Sequence, residues 1–511
     1  MKRTTLSLFA AATALAAVAT AGALAAPSDG AGTKGSGAKE PGRMPVQRSL
    51  LLCPAPTSSD VGETLYTAYT PPGQTAKSPQ KQNQKQDQKH EKNAAELLAA
   101  AGSAKKDDKG GGGGGSVLSL KEPGKPVTAT TNRSDAPALI GTADGSLAPG
   151  WSVQQTTVVG AGSGRGLHGL SCTAPDTSFW FPGVSTAKGR QDYVHLTNPD
   201  STPAVVDLEL YGKDGRVEAS AGEGVTVPPR STVPVLLSSL TDSQEENAAL
   251  HVAVRTGRAG AAVQASDDKL GGDWLAASAD PSADAVLPGI PADATSVRLV
   301  VLAPGADDAD LKLRFAGPNG SITPAGHESL HVKSGMTAAV DLGDMIKGEA
   351  GSLLLSADGG STPVVAALRI TRGKDDKQET AFIPATAPVD GRATVADNRP
   401  KSSTLSLVAP GKDAAEVKVT SSAGSDGGSP AVKTYTVRPG TTLTVEPPQP
   451  DGAKGGYAVT VEKVSGGPVH ASRMLALPKD GLPMFTIQPL PDDRSTVAVP
   501  TAGQDLSMLN R

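Results

Sequence analysis

The chain has 511 residues and a formal net charge of -4, with 38 % hydrophobic but only 3 % aromatic residues. This length allows roughly three or four domains of about 100–200 residues each. The lack of a basic excess removes the main reason to expect nucleic acid as a partner. Because aromatic residues are scarce, any core must be built mainly from Val, Leu and Ala.

The first 26 residues predict a secretory signal peptide. Lys2 and Arg3 precede an uncharged, Ala-rich run over residues 4–26. Ala23-Leu24-Ala25 matches the small-x-small pattern of a cleavage site. A run of this length can also span a bilayer, so a retained signal anchor that faces outside is the alternative. In that case the uncleaved signal segment would be the contact with the membrane.

Residues 27–45 are predicted to be a disordered tether, and residues 46–175 an N-terminal β module. Strand-like patterns at both ends of this module flank residues 71–116, which contain a Lys/Gln tract and a Gly run. We expect this segment to be a disordered insertion. Its Ala/Leu patch at residues 94–101 is too short for a stable isolated helix.

The chain has two cysteines, Cys53 and Cys172. In an exported protein an even number of cysteines favours a disulfide, which here would join the first strand of the N-terminal module to its last. The long loop between the cysteines is tolerable because the entropic cost of closing a loop grows slowly with its length. Two free buried thiols are the alternative.

Two phrases recur in register along the rest of the chain. A nine-residue phrase occurs three times at intervals of 105 residues, beginning at Val227, Val332 and Val437. A second phrase, which ends in proline, precedes each copy, at Pro199, Pro304 and Pro410. This double repetition predicts three tandem copies of one module.

Each repeat contains about seven short strand-like runs separated by turn signals, which predicts a β-sandwich. The predicted fold is therefore all-β, with tandem immunoglobulin-like β-sandwich modules at residues 176–286, 287–382 and 383–490. A C-terminal tail follows at residues 491–511. Modules joined in series would form a rod.

Motifs for catalysis, cofactors and metals are weak in this sequence. Residues 164–169 fit the dinucleotide fingerprint by letter, but no helical pattern follows them. His327 and His331 are four apart in a strand-like segment, and the His-Glu-x-x-His pattern of zinc proteases is incomplete. We therefore predict no catalytic residue, no cofactor and no metal site. The alternative is a secreted hydrolase with a site between modules, in which His195, His251 or His331 meets carboxylates.

Two tryptophans are candidates for structural or interface roles. Trp180 lies between Phe179 and Phe181 and is predicted to anchor a module core. Trp274 follows Asp273 in a polar segment between modules, and we expect it to fill the interface between the first and second repeats. A ligand contact at Trp274 is the alternative.

Four phrases carry a family resemblance: Cys-Thr-Ala-Pro at residues 172–175, Phe-Trp-Phe-Pro-Gly at 179–183, Gly-Asp-Trp-Leu at 272–275 and Val-Leu-Pro-Gly-Ile-Pro at 286–291. They resemble an actinobacterial family of exported proteins of unknown function, often described as large secreted proteins. The resemblance covers residues 46–490. It implies structural roles for these phrases and transfers no catalytic residue.

The expected function is that of an exported, non-enzymatic protein of the cell envelope or the extracellular space. Its modules would bind an envelope protein or a wall glycopolymer. A secreted hydrolase and a signal-anchored accessory subunit of envelope assembly are the alternatives.

Overall fold

A computed structural model describes residues 42–73, 93–100, 116–343 and 348–499. The predicted signal peptide, most of the tether and the end of the tail lie outside these residues. The described chain is all-β, as predicted, with 38 strands and the short 3₁₀ helices Gly145–Leu147, Ser220–Gly222 and Leu237–Ser239. None of its helices is long and apolar enough to cross a membrane.

Strands β1 (Gly42–Pro45) and β38 (Thr496–Val499) pair in a two-stranded sheet. All other strands lie in one compact unit, Pro45–Thr496, to which the following description refers.

The first sandwich corresponds to the predicted N-terminal module. Its strands are β2 (Arg48–Cys53), β3 (Gly62–Tyr69), β4 (Ala95–Ala99), β5 (Ser116–Leu120), β6 (Val127–Thr131), β7 (Leu139–Asp144), β8 (Ser152–Val159) and β9 (Gly166–Ser171). They form two sheets, in the orders β2-β7-β4-β5 and β6-β3-β8-β9. Leu97, Leu120 and Val153 are buried between the sheets, because alternate residues of each strand face the opposite sheet.

The second sandwich contains β10 (Ser178–Val184), β11 (Arg190–Thr197), β12 (Ala204–Gly212), β13 (Gly215–Val217), β14 (Val225–Val227), β15 (Thr232–Leu236), β16 (Ala248–Thr256), β17 (Gly260–Asp267) and β18 (Gly271–Leu275). One sheet has the order β10-β16-β12-β13, with β14 also paired to β12, and the other has the order β15-β11-β17-β18.

The third sandwich contains β19 (Ala285–Ile290), β20 (Ala294–Leu302), β21 (Ala309–Ala316), β22 (Ser321–Ile322), β23 (Ser329–Val332), β24 (Thr337–Asp341), β25 (Gly351–Ala357), β26 (Val365–Lys374) and β27 (Lys377–Pro384). Its two sheets follow the same pattern, β19-β25-β21-β22 and β24-β20-β26-β27.

The fourth sandwich contains β28 (Arg392–Asn398), β29 (Ser403–Ala409), β30 (Ala415–Gly424), β31 (Gly427–Ser429), β32 (Ala431–Val437), β33 (Thr441–Val445), β34 (Asp451–Lys454), β35 (Tyr457–Gly466), β36 (His470–Ala476) and β37 (Phe485–Pro489). Its sheets are β28-β35-β30-β31-β34 and β33-β29-β36-β37.

All four sandwiches share one topology, so the N-terminal module is a fourth copy of the repeat. The orders β6-β3-β8-β9, β15-β11-β17-β18, β24-β20-β26-β27 and β33-β29-β36-β37 are equivalent, strand for strand. The sequence concealed this copy because residues 74–92 and 101–115 interrupt the spacing that reveals the other three.

The two recurring phrases meet in space, which explains why they recur together. The backbone N–H of Gly335 donates to Ala303 O over 2.8 Å, and that of Gly440 donates to Ala409 O over 2.8 Å. The first sandwich has the same contact, from Gly124 N–H to Thr70 O over 2.7 Å. In each case the bond holds the crossing from one sheet to the other.

The predicted insertion at residues 71–116 needs correction. Residues Ala95–Ala99 form β4, which lies between β7 and β5, and Leu97 in its centre is fully buried. The Ala/Leu patch is therefore a core strand, because its alternate residues face the core while its backbone pairs on both sides. Residues 74–92 and 101–115 lie outside the described residues.

Two predicted module boundaries, at residues 287 and 383, fall inside β19 and β27. Ile383 and Pro384 end the third sandwich rather than begin the fourth. Leu287-Pro288-Gly289 corresponds to Phe181-Pro182-Gly183, since both phrases make a bulge in the first strand of a sandwich. Gly183 and Gly289 have φ values of 96° and 93°, which a glycine adopts without strain.

The four sandwiches close into a ring, which corrects the expected rod. Their last strands contact one another in cyclic order: β9 with β18, β18 with β27, β27 with β37, and β37 with β9. The side faces of the sandwiches also meet, through β10 with β26, β19 with β36, and β28 with β8. The first and last sandwiches are therefore neighbours.

The disulfide between Cys53 and Cys172 is present, with Cα atoms 4.7 Å apart, and confirms the prediction. Cys53 ends β2 and Cys172 follows β9, so the bond joins the two sheets of the first sandwich.

Candidate functional site

The last strands of the sandwiches surround the axis of the ring, and equivalent positions of these strands carry polar side chains. In the strand register, one position is occupied by His168, Asp273, Ala381 and Thr486. The position two residues further along each strand is occupied by Leu170, Leu275, Ile383 and Gln488. Glu379 of β27 lies two residues before Ala381, at the same level as Gly166 of β9 and Gly271 of β18. We call His168, Asp273, Glu379, Thr486 and Gln488 the axial cluster. All five are buried, and every sandwich contributes at least one.

Asp273 joins three of the strands at the axis. Its Oδ1 accepts hydrogen bonds from the backbone N–H of Gly169 over 2.9 Å and from its neighbour Trp274 over 2.7 Å. The Thr486 side chain also favours the charged form of this carboxyl group. Burial raises the pKa of Asp273 well above its ordinary value, although these hydrogen bonds favour the carboxylate.

Glu379 and Arg165 connect three sandwiches beside this point. Arg165 Nε lies 3.6 Å from Glu379 Oε1, and its Nη2 donates to Lys269 O over 2.7 Å and to Gln378 O over 3.0 Å. Burial raises the pKa of Glu379 to about 7, while the charge of Arg165 opposes the shift. The guanidinium therefore binds the second and third sandwiches to the first.

Two glycines make room for the Glu379 carboxylate. A Cβ atom at Gly166 would lie 2.8 Å from Glu379 Oε2 and 2.7 Å from Gly272 O. One at Gly271 would lie 2.9 Å from the same Oε2 and 2.5 Å from Arg165 O. The strands approach each other this closely because neither position carries a side chain.

His168 is neutral at the axis. Its Nε2 lies 2.8 Å from Gly164 O and therefore carries the proton. Burial lowers the pKa of His168 to about 4. Residues 164–169, which match the dinucleotide fingerprint by letter, thus form a turn and β9 beside the axis, and the next elements, β10 and β11, are strands.

The axial cluster is enclosed by protein. Two pockets of the described chain lie elsewhere: one beside Arg190 and Phe382 has no room for a water molecule, and one beside Leu52 and His195 has a volume of about 10 Å³. Sites for small molecules enclose about 300–1,000 Å³. The axial cluster is therefore better suited to holding the ring closed than to binding a substrate.

The two predicted tryptophan roles need correction. Phe179 and Phe181 face the core of the second sandwich, so Trp180 between them faces outward and packs against Leu302 and Val365 of the third sandwich. Trp180 is therefore an interface residue and not a core anchor.

Trp274 lies at a different interface from the one expected. It packs against Leu170 of the first sandwich and Ala262 of its own, and it meets the His195 ring edge-on, with 5.2 Å between ring centroids. Trp274 thus fills the contact between the first and second sandwiches. Its neighbour Asp273 belongs to the axial cluster.

The structure places the three histidines of the hydrolase alternative on different strands. His195 on β11 is buried, and burial lowers its pKa to about 4. His331 on β23 is exposed beside Asp310, with 2.8 Å from Nδ1 to Oδ1. His251 on β16 lies against Glu209, with 2.9 Å from Nδ1 to Oε2.

Sequence reasoning missed Arg473. It is fully buried on β36, and none of its guanidinium nitrogens has a hydrogen-bond partner in the described chain. Burial lowers its pKa to about 10, while the charge of Asp397 opposes the shift. In the strand register, Arg473 of the fourth sandwich lies at the position that Val263 has in the second and Leu368 has in the third. An alignment of this strand across the repeats would have revealed the exception.

A family model described as a family of unknown function (DUF5719) matches residues 127–448, more than half of the chain. The matched residues include Asp273 and Glu379 but end before Arg473 and Thr486. No curated protein matches the chain.

Proposed function

Because the chain belongs to this family of unknown function, we propose its role from its architecture. It is an exported, principally non-catalytic protein of the cell envelope or extracellular space, and its ring binds an envelope protein or a wall glycopolymer. The observation that carries this proposal is the closure of four sandwiches around a buried polar axis.

The axial contacts support a binding platform. Arg165 of the first sandwich bonds to backbone carbonyls of the second and third sandwiches, and Asp273 of the second bonds to a backbone amide of the first. Bonds of this kind fix the relative positions of the sandwiches, and a rigid surface loses little conformational entropy when it binds. The buried polar groups serve the ring itself, which leaves the outer turns and sheet faces for a partner.

Two features support export. Residues 1–26 have the composition of a secretory signal, although they lie outside the described residues. The Cys53–Cys172 disulfide suits an oxidising compartment, because cytosolic thiols are kept reduced. A signal-anchored accessory subunit differs only in keeping its first residues. Mass spectrometry of the native N-terminus separates the two forms.

The binding role can be tested by sedimentation of the full chain with insoluble wall material, and by cross-linking to envelope proteins. We expect saturable retention on one of these. A matched pair of variants identifies the surface: Gly166→Val should open the ring and abolish retention, whereas Lys213→Ala, in an exposed hairpin, should not. No retention of the folded protein by either route would contradict the proposal.

A further inference from the structure

Three side chains on the outer face of the second sandwich form a chain of hydrogen bonds. Ser178, His251 and Glu209 belong to the adjacent strands β10, β16 and β12. Ser178 Oγ lies 3.0 Å from His251 Nε2, and His251 Nδ1 lies 2.9 Å from Glu209 Oε2. This is the connectivity of a Ser–His–acid triad, in which the acid fixes the tautomer that leaves Nε2 free to accept the serine proton.

The neighbouring side chains hold this arrangement in place. The Trp180 ring stacks on His251, with 3.8 Å between centroids and 9° between planes. Tyr211 donates to Glu209 Oε2 over 3.1 Å, and Arg216 Nη2 lies 3.0 Å from Glu209 Oε1. Burial raises the pKa of Glu209, but the His251 hydrogen bond and the Arg216 charge outweigh it, so the net pKa is lowered. Glu209 is therefore a carboxylate at neutral pH.

The arrangement remains open to solvent. The side chains of His251 and Glu209 are 17 % and 22 % exposed, and Ser178 is half-buried.

The backbone offers a donor beside the serine hydroxyl. Thr177 O accepts from Val254 N–H, on the side of β16, while Trp180 O accepts from Ser278 N–H, on the opposite side. Because successive peptide groups of a strand alternate in direction, the N–H of Ser178 points away from β16, on the side of β10 where Ser278 pairs with Trp180. An oxyanion formed at Ser178 would have this amide within reach.

We propose that Ser178, His251 and Glu209 form a hydrolytic site for short-chain acyl esters. Ser178 Oγ attacks the ester carbonyl while its proton passes to His251 Nε2, and Glu209 accepts the hydrogen bond from Nδ1. The tetrahedral intermediate expels the alcohol, which takes the proton from His251. Water then cleaves the acyl-serine by the same route and releases the acid. A short acyl group is specified because Ser178 lies on the outer face of a sheet rather than in a cleft between core residues.

This activity goes beyond the proposed binding role and stands on a separate part of the molecule. A ring that binds a polymer without cleaving esters would keep the first proposal and overturn this one. Ester cleavage without retention on wall material or envelope proteins would keep this proposal and overturn the first one.

The test uses the full chain with a fluorophosphonate probe, followed by peptide mass spectrometry, and with p-nitrophenyl butyrate as substrate. We expect the probe to label Ser178, at least about 100-fold faster than an unactivated serine. Ser239, an exposed serine of the same sandwich, supplies the comparison. Ester turnover should be lost in Ser178→Ala and kept in Ser239→Ala.

A second variant keeps the test informative if Ser178→Ala unfolds. His251→Gln retains the serine and should slow its labelling by about 100-fold or more. Thermal melting of each variant checks the fold. Labelling of Ser178 that is unchanged in His251→Gln, labelling without ester turnover, or no labelling of Ser178 at all would each overturn the inference.

Discussion

The third and fourth sandwiches share a topology but build their cores differently. At one paired position the third has Leu299 opposite Leu368, and both are fully buried. The fourth has Leu405 opposite Arg473 at the equivalent position, also fully buried. The third sandwich therefore has an apolar core at this level, whereas the fourth encloses a guanidinium.

The charges that compensate Arg473 lie at the contacts between sandwiches. Asp397 accepts from Thr156 Oγ1 of the first sandwich over 2.8 Å and lies 3.4 Å from Arg399. Asp273 of the second sandwich also favours the charged guanidinium. A buried charge is strongly unfavourable without partners. The fourth sandwich thus depends on its neighbours in a way that the third does not, which couples its folding to closure of the ring.

Lowering the pH should reveal the largest difference in stability between the sandwiches. Burial lowers the pKa values of His168, His195 and His470, in the first, second and fourth sandwiches, to about 4. These values lie below the unfolded value of about 6.5, so the stability from each neutral histidine is complete above pH 6.5 and is lost as pH falls through 4. Each contributes about 3 kcal/mol.

Hydrogen exchange measured by mass spectrometry between pH 7 and 4.5 checks this. We expect amides of the first, second and fourth sandwiches to lose protection before those of the third. Simultaneous loss in all four would mean that the ring opens only as a whole, and earlier loss in the third would contradict the assignment of these histidines.

Exchanging the residues at the compared position should have the next largest effect. Leu368→Arg buries an uncompensated charge in the third sandwich and should reduce the free energy of unfolding by more than about 4 kcal/mol. Arg473→Leu should cost less than Leu368→Arg, because the guanidinium makes no hydrogen bond in the described chain and Asp397 keeps its contact with Arg399. Urea unfolding of both variants tests this asymmetry. A large loss in Arg473→Leu would show that the guanidinium has contacts that Leu cannot replace.

Glu379 has the opposite pH dependence to the histidines. Its folded pKa of about 7 exceeds the unfolded value, so its stability contribution is complete below about pH 4.5 and is lost as pH rises through 7. Glu379→Gln should therefore raise stability at pH 8 by roughly 3 kcal/mol and change it little at pH 4.5. Melting temperatures at the two pH values measure the difference. An equal shift at both would locate the effect in packing instead.

The smallest expected effect concerns the turn at the fourth residue of each nine-residue phrase. Gly335 and Gly440 have φ values of 68° and 62°, and the second sandwich has Arg230 at 51° in the same position. A residue with a Cβ atom is strained there by about 1 kcal/mol. Gly440→Arg should destabilise by about that amount, and Arg230→Gly should stabilise slightly. Chemical denaturation resolves both, and effects of the reverse sign would refute the equivalence of the turns.

Local sequence features anticipated the parts of the fold that depend on local chemistry. The repeated phrases marked the crossings between sheets, and Cys53 and Cys172 indicated the disulfide. The ring was not predictable in this way, since Ala262, Ala396 and Ala458 fill its interfaces with small side chains that occur everywhere in this chain.

The candidate sites were visible only in part for the same physical reason. Asp273 could be singled out because it lies in a distinctive phrase beside Trp274. The partners Ser178, Glu209 and His251 come from three strands that are adjacent in the sheet but distant in sequence. Only the register of those strands brings them together.

The most direct test of the central claim, closure of four sandwiches into one ring, is small-angle X-ray scattering of a chain spanning residues 42–499. A compact unit of this length should have a radius of gyration of about 22 Å. Four sandwiches in line would give about 40 Å. A value near 22–25 Å would support the ring and the dependence of Arg473 on its neighbours. A value near 40 Å would contradict both, because the first and fourth sandwiches would then be too far apart to touch.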